Sequence, residues 1–472
     1  MQSNIDKVEL RVNEVNMTVF IQSYTMHYDM YGGAGTFTCD LVMGEDYVGE
    51  VHLLNSLINL AKQEAFFQWK INGHAWMNGY LDKIETNYDK GSLTHTISGR
   101  DLTAILMDNQ VIQAENHPPT SSTLKQYGDA GSLHDLLELL WFNNTEISSI
   151  TNMNNGFQNA KITLDPPLSI RKYLNNTPFI ASQSALQELT GMPHFKAVSF
   201  SLGETLYDVA TNLCNQRGLI LYNPPGTNYI LIHTAGFNAQ EDPNGLQGHQ
   251  LVGYDPWGNT DPSGEVAFYN VLKNQGQNNI ISCSSKQDIT NYYKYIRLCG
   301  ETLGEDQDFK ENAYNGVRYF SERIERIDSI PDLNSDGTPM EGTITPAYMK
   351  KMYNGMTKFK SISADSVDAY TWSKTRNLLM NNDLFTQNRE LYNIKYTVSN
   401  HSPNGGLPYF FGQYAKVYDD FLDLDGITFL IYGVTYTGSK ASGLKTEVEL
   451  ASPLSDNGLS YWSRPFAVYE GK

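Results

Sequence analysis

Residues 79–109 read GYLDKIETNYDKGSLTHTISGRDLTAILMDN. The run from Tyr80 to Ser98 holds two extended segments joined through Asp89, Lys90 and Gly91, residue types that favour a hairpin turn. Immediately beyond it Leu102, Ile105 and Leu106 take helical spacing. A long hairpin that ends in a short helix predicts an antiparallel sheet in the first hundred residues. Strands upstream agree. Phe37, Cys39 and Leu41 alternate with Thr38, Asp40 and Val42, and Val8, Leu10 and Val12 alternate with Glu9 and Arg11, the period of two of a half-buried strand.

The last eighty residues repeat this style. ITFLIYGVTYTGS, residues 427–439, turns near Ser442 and Gly443 and returns as LKTEVEL, in which Leu444, Thr446, Val448 and Leu450 alternate with Lys445, Glu447 and Glu449. Each end of the chain thus offers a long hairpin with a glycine inside its first strand, Gly79 or Gly433, and a glycine at its turn. Two readings stand at this point: antiparallel hairpins that look alike, or two related β-barrels in one chain. In the second, three chains would present six similar β units around an axis.

Between the ends the chain changes character. Residues 110–200 are rich in Asn, Ser and Pro, with one good helical patch, SLHDLLELLWF, where Ser132 and Asp135 have capping-box spacing and Leu133, Leu136, Leu137 and Leu140 share a face. SLGETLYDVATNLCNQRGLILYNPPGTNYILIH follows, residues 201–233. Ser201 and Glu204 have the same spacing, Leu206, Val209, Ala210, Leu213 and Cys214 form an apolar stripe, and Gly218 closes the helix. Two strands around an Asn-Pro-Pro-Gly turn complete a helix packed on a hairpin. Residues 237–290 are loop-heavy, YKYIRLCG is a strand, Thr345 and Pro346 start a helix, and a second helix is expected over 364–384. The expected organisation is α+β, mainly β: an N-terminal tube-type β-barrel over 1–109, an inserted α/β region over 110–240, a loop-rich strand and helical connection over 241–390, and a C-terminal β-barrel segment over 391–472.

Composition excludes several function classes. A net charge of −18 with few, scattered Arg argues against a general nucleic-acid binder, which needs clustered cations to meet phosphate. With 12% aromatic and only 18% charged residues the chain is not of disordered type. The opening MQSNIDKVELRV shows neither a secretory signal nor an anchor, and no apolar run approaches the roughly 18 residues of a membrane span, so no membrane insertion is expected. Cys39, Cys214, Cys283 and Cys299 lack any CxxC pair, and Cys39 and Cys214 are expected buried and inert.

No catalytic, cofactor-binding or metal site is expected, and the chain is not read as an enzyme. It contains no HExxH, GxSxG, Walker loop or strand-to-helix GxGxxG. His52, His74 and His95 lack metal-ligand spacing and are expected to be core or interface residues. Asp332, Asn334, Asp336 and Gly337 imitate the start of a calcium loop, but Thr343 stands where a bidentate Glu is needed and Pro339 interrupts it, so a solvated connection is the simpler reading. Asp419, Asp420, Asp423 and Asp425 read as a turn between strands rather than a carboxylate site.

Taken together, spaced segments resemble the Mu-like baseplate hub family of contractile-tailed phages. Gly79, Ser98, Gly99, Arg100, Asp101, Leu106 and Asp108 look like that family's first-barrel signature. Gly203, Glu204, Thr205, Arg217 and Gly218 are similar to its helix and hairpin. YKYIRLCGET resembles the strand that follows, with Cys299 departing from the residue usual before Gly300. YNIKYTVSNHSPNGGLPYFFGQYAKVYDD through LKTEVELASP is like the final barrel in order and spacing. The matches touch about half the chain, and the segments 110–200 and 237–278 fall outside them.

The resemblance implies a structural hub: a homotrimeric, pseudo-sixfold ring joining a sixfold tail tube to a threefold central spike. It also implies baseplate wedge proteins as neighbours, the tape measure protein as a further candidate partner, and a place in the virion tail after assembly in the host bacterial cytoplasm. DNA would pass through the lumen without specific binding, and an acidic lining would disfavour phosphate contact. Arg100 and Asp101 are expected to fix the strand-to-helix corner, or else to contact another subunit. Two alternatives stay open: the hub of a non-phage contractile injection system, and a LysM-like peptidoglycan-binding tail component, since GETLYDVATNLCNQRG also resembles the opening of a LysM module.

Overall fold

A computed structural model describes residues 6–43, 65–110, 179–181, 203–234, 266–301, 319–325, 359–364 and 386–451, with short gaps inside these ranges. The expected helix at 132–142, the helix start at Thr345 and Pro346, the DLNSDGTP loop and His52 lie outside the described residues, as does the helix expected over 364–384 except for Ala364, which ends a strand. What is described is α+β and mainly β, as expected.

The N-terminal strands are β1 (Val8–Val12), β2 (Val15–Asn16), β3 (Ile21–Asp29), β4 (Thr36–Met43), β5 (Phe66–Ile71), β6 (His74–Asp89) and β7 (Ser92–Asp101), followed by helix α1 (Ala104–Asp108). The middle of the chain supplies β8 (Phe179–Ala181), helix α2 (Leu206–Asn215), β9 (Leu219–Tyr222) and β10 (Ile230–Thr234). Then come β11 (Val266–Asn270), β12 (Ile280–Gln287), β13 (Tyr295–Glu301), β14 (Tyr319–Glu325) and β15 (Phe359–Ala364). The closing strands are β16 (Tyr392–Ser399), β17 (Tyr414–Asp419), β18 (Leu424–Ser439) and β19 (Gly443–Ala451).

One 13-stranded sheet contains both ends of the chain, in the order β12-β16-β19-β18-β3-β4-β7-β6-β5-β1-β2, with β17 and β11 branching from β18. Two strands of the stretch expected to be connecting, β11 and β12, are therefore ladder partners of the closing strands. A smaller sheet, β8-β10-β9, sits with α2, and β14-β13-β15 forms a third.

Side-chain alternation explains why the large sheet folds on one core. Phe37, Cys39 and Leu41 on β4, Ile394, Tyr396 and Val398 on β16, and Val448 and Leu450 on β19 are all buried, while the residues between them face outward. Aromatic rings fill the centre: Trp69, Trp76, Phe67, Phe268, Tyr396 and Tyr436 are almost fully buried in a single cluster drawn from both ends of the chain. Ile220 and Tyr222 of β9 join it, and Tyr222 packs on Phe411, so the helix–hairpin segment is fastened to the main core.

Helix α2 starts later than its sequence suggests. Gly203 has φ +91°, a left-handed conformation, and it turns the chain just ahead of the helix. The capping box is Thr205 with Asp208: the Asp208 amide donates to Thr205 Oγ1 at 3.0 Å and the Thr205 amide to Asp208 Oδ2 at 3.2 Å. Ser201, the other residue with capping-box spacing, lies outside the described residues. Gly218, φ +69°, closes the helix as expected, and β9 and β10 pair antiparallel.

Candidate assembly interface

The two ends of the chain contain the same unit. Five strands correspond in chain order and in pairing: β3 with β12, β4 with β16, β5 with β17, β6 with β18, and β7 with β19. The ladders share their irregularities. In β6–β7 the register shifts between Leu81 and Lys83, and seven residue pairs then run to the turn. In β18–β19 it shifts between Ile431 and Gly433, and seven pairs again follow. The β3–β4 shift between Ile21 and Ser23 is matched by the β12–β16 shift between Ile280 and Ser282. The β5–β6 shift between Trp69 and Lys70 is matched by that of β17–β18 between Val417 and Tyr418. A bulge is a defined local feature that bends a strand, and three at corresponding places mark two copies of one design. The sixth strand differs: β1 is antiparallel to β5, whereas β11 is parallel to β17.

Within the chain the units join edge to edge. The outer half of β18 pairs antiparallel with β3, Gly433 opposite Asp29 through Ser439 opposite Ser23. Buried polar groups lock this junction. The Thr446 hydroxyl donates to the Asn400 carbonyl at 2.8 Å, so its oxygen is the acceptor for His401 Nδ1–H at 2.9 Å. His401 Nε2 then accepts from the Tyr24 hydroxyl. Burial holds the His401 ring neutral, its pKa lowered to about 4 despite the nearby Asp6 charge. Asp6 from the chain's start accepts from the amides of His401 and Ser402, the Ser402 hydroxyl and the Asn72 amide, at 2.6 to 2.8 Å. At the surface, His27 Nδ1 bonds Thr435 Oγ1 across the strands at 2.9 Å.

Arg100 and Asp101 hold the β7-to-α1 corner. The Arg100 guanidinium is bidentate to Asp82 at 2.7 and 2.9 Å and to Asp108 at 2.7 and 3.0 Å. Asp82 is the bulged residue of β6, so one side chain ties the bulge to the helix end. Burial acts against the Asp108 charge, but hydrogen bonds from Arg100 and Tyr80 hold its pKa below the usual value. Asp101 accepts from the Gly35 amide at 2.7 Å and the Thr103 amide at 2.8 Å. Its burial nevertheless raises the carboxyl to about 7.

The other residues singled out above fall into structural places. His95 is buried on β7 with Thr86 at 2.9 Å, and His74 begins β6. Cys39 and Cys214 are buried, whereas Cys283 on β12 is exposed. Asp419 caps the β17–β18 turn by accepting from the Phe421 amide at 2.9 Å, and Tyr396 donates to its other oxygen at 2.8 Å. Among the described residues no group of three His, Cys, Asp or Glu could hold a metal ion, and no helix is long and apolar enough to cross a membrane.

Among the described residues two edges that are covered in one unit are open in the other. The outer half of β6, from Lys83 on, pairs only with β7, although the corresponding part of β18 is covered by β3. Strand β12 ends the sheet and is exposed from Ile281 to Lys286, although the corresponding β3 is covered by β18. Sequence reasoning did not find these edges, because IISCSSKQ carries no alternation that would mark it as the partner of a long hairpin.

No protein-family model matches the chain, and no curated protein matches it. Its structure is similar to that of the tail protein from Neisseria meningitidis MC58, with a TM-score of 0.57 and 15% identity, over 98% of this chain and 99% of that one. It is similar in the same way to the 43 kDa tail protein of prophage MuSo2 from Shewanella oneidensis, with a TM-score of 0.56 and 13% identity, over 98% of this chain and 99% of that one. At these identities the chain shares their fold.

Proposed function

We propose that the protein is a structural baseplate hub of a contractile phage tail, a homotrimer whose six β units form a pseudo-sixfold ring. The observation that carries this reading is the duplicated unit with three matching bulges, joined through the β18–β3 ladder. Three chains of two units present six similar surfaces to a sixfold tube, while the segments that are not duplicated, including the β14-β13-β15 sheet, present three to a threefold spike. The fold shared with two proteins described as tail proteins supports the same reading.

The role is adaptation of symmetry, not catalysis. Tail tube, central spike and wedge proteins are the partners this assigns, with the tape measure protein a further candidate, in a virion tail built in the host cytoplasm. DNA passes the lumen unbound, in keeping with the −18 charge. Mass photometry of the purified protein tests the reading. A species of three times the 53.1 kDa chain is expected, and a monomer at micromolar concentration, alone or with tube protein, contradicts it.

A further inference from the structure

We infer that β12 of one chain adds to the open outer edge of β6 in the next, repeating between subunits the β18–β3 junction made within each chain. The inference rests on the ring reading and specifies its subunit contact and register.

The bulges fix that register. They align Gly433 with Lys83 on the hairpin strand, and Ser23 with Ser282 on the edge strand. Inside the chain Gly433 faces Asp29, Thr435 faces His27 and Gly438 faces Tyr24. Carried to the corresponding residues, Lys83 faces Asp288 of the second copy, Glu85 faces its Lys286, and Tyr88 faces its Cys283. Both charged positions come out opposite in sign. A register shifted by two residues toward the turn would place Glu85 against Asp288, and one shifted the other way would place Lys83 against Lys286. Like charges directly opposite oppose pairing.

The free chain has the same charges waiting. Lys83 pairs with Glu85 along β6, and Lys286 with Asp288 at 3.1 Å beside β12. Docking turns two side-by-side pairs into one four-charge cluster across the strands. Charged side chains on an exposed edge can also serve to repel other strands. That role alone sets no relation between the signs on two edges about two hundred residues apart in sequence. Exposure agrees: Tyr88 is 84% exposed, while its counterpart Gly438 is buried under Tyr24, where an added Cβ would lie 2.4 Å from the Tyr24 ring. The contact is heterologous, one edge on a different edge, and such contacts close into rings when the rotation per step allows.

Tyr88→Cys tests the register with the native Cys283 as partner, since facing residues of an antiparallel pair lie within disulfide reach. After oxidation with copper phenanthroline, a non-reducing gel should show covalent species of two and three chains. They should vanish when Cys283→Ser is added, and Asn87→Cys, whose residue faces Ser284, should give none. Lys83→Glu should weaken assembly about tenfold, and Lys83→Glu with Asp288→Lys should restore it. If the native protein is trimeric but Tyr88→Cys does not crosslink through Cys283, this contact is wrong and the ring stands. If the native protein is monomeric, both fall.

Discussion

Thr86 and Tyr436 occupy the same place in their hairpins, four residues past the bulged residue, yet Tyr436 is buried and Thr86 is exposed. Val434 is likewise buried where Ile84 is only half-buried. The backbone design is shared, and the difference lies in what covers it. The C-terminal hairpin has an edge strand of its own chain against it and has filled the junction with aromatic and polar groups. The N-terminal hairpin carries Lys, Glu, Thr and Asn there, side chains that tolerate water until a partner arrives. A duplicated unit with one covered and one open copy is what a chain needs if its neighbours supply the missing cover.

The comparison can be broken hardest at the two strand glycines. At Gly79 a Cβ would sit 1.9 Å from the Arg100 carbonyl oxygen, so the β6–β7 backbones can approach there only without a side chain. Gly79→Ala is expected to cost at least about 4 kcal/mol or prevent folding. At Gly433 the nearest atom is the Glu449 side chain at 3.4 Å, and Gly433→Ala should stay within about 1 kcal/mol. Urea unfolding of the two variants checks the contrast, and equal costs would break it.

A smaller effect separates the junction from the N-terminal corner by pH. His401 folds with its pKa depressed to about 4, so its contribution is complete above the unfolded value near 6.5 and is lost as pH falls toward 4. Asp101 folds with its pKa raised to about 7, so its contribution is complete below the unfolded value near 3.8 and is lost as pH rises toward 7. The slopes oppose each other between pH 4 and 6.5. Asp101→Asn should make stability rise more steeply with pH in that window, and His401→Gln should make it fall. The amplitudes are about 2 to 3 kcal/mol each at roughly 1.4 kcal/mol per pKa unit. Thermal melts of both variants across pH 4 to 7 read the signs directly.

The smallest effect belongs to Arg100. Its four hydrogen bonds to Asp82 and Asp108 are partly exposed, so Arg100→Ala should cost about 1 kcal/mol in urea unfolding. If neither stability nor assembly changes, the corner is held by other groups.

Much of the fold was legible because half-buried strands write their burial in alternation. Phe37 to Leu41 and Leu444 to Leu450 show it plainly, and the α2 stripe from Leu206 to Cys214 does the same at helical spacing. The repeat was visible for a wrong reason. Gly79 and Gly433, which suggested it, are not equivalent, since the ladders align Gly433 with Lys83 and Gly79 with Phe429. What the units share is the placing of bulges, a relation between two strands, and the bulged residues Asp82 and Tyr432 have no chemistry in common. The open edges were hidden for a related reason. Among the described residues strand β12 is exposed on both faces from Ile281 to Lys286, so its sequence has no apolar period to betray it.

A cryo-EM map of the purified protein tests the central claim most directly. The account predicts a threefold ring of six β units in which β12 of each chain lies antiparallel on β6 of the next, with Lys83 facing Asp288. A monomer, or a ring in which both of these edges remain free, would contradict it.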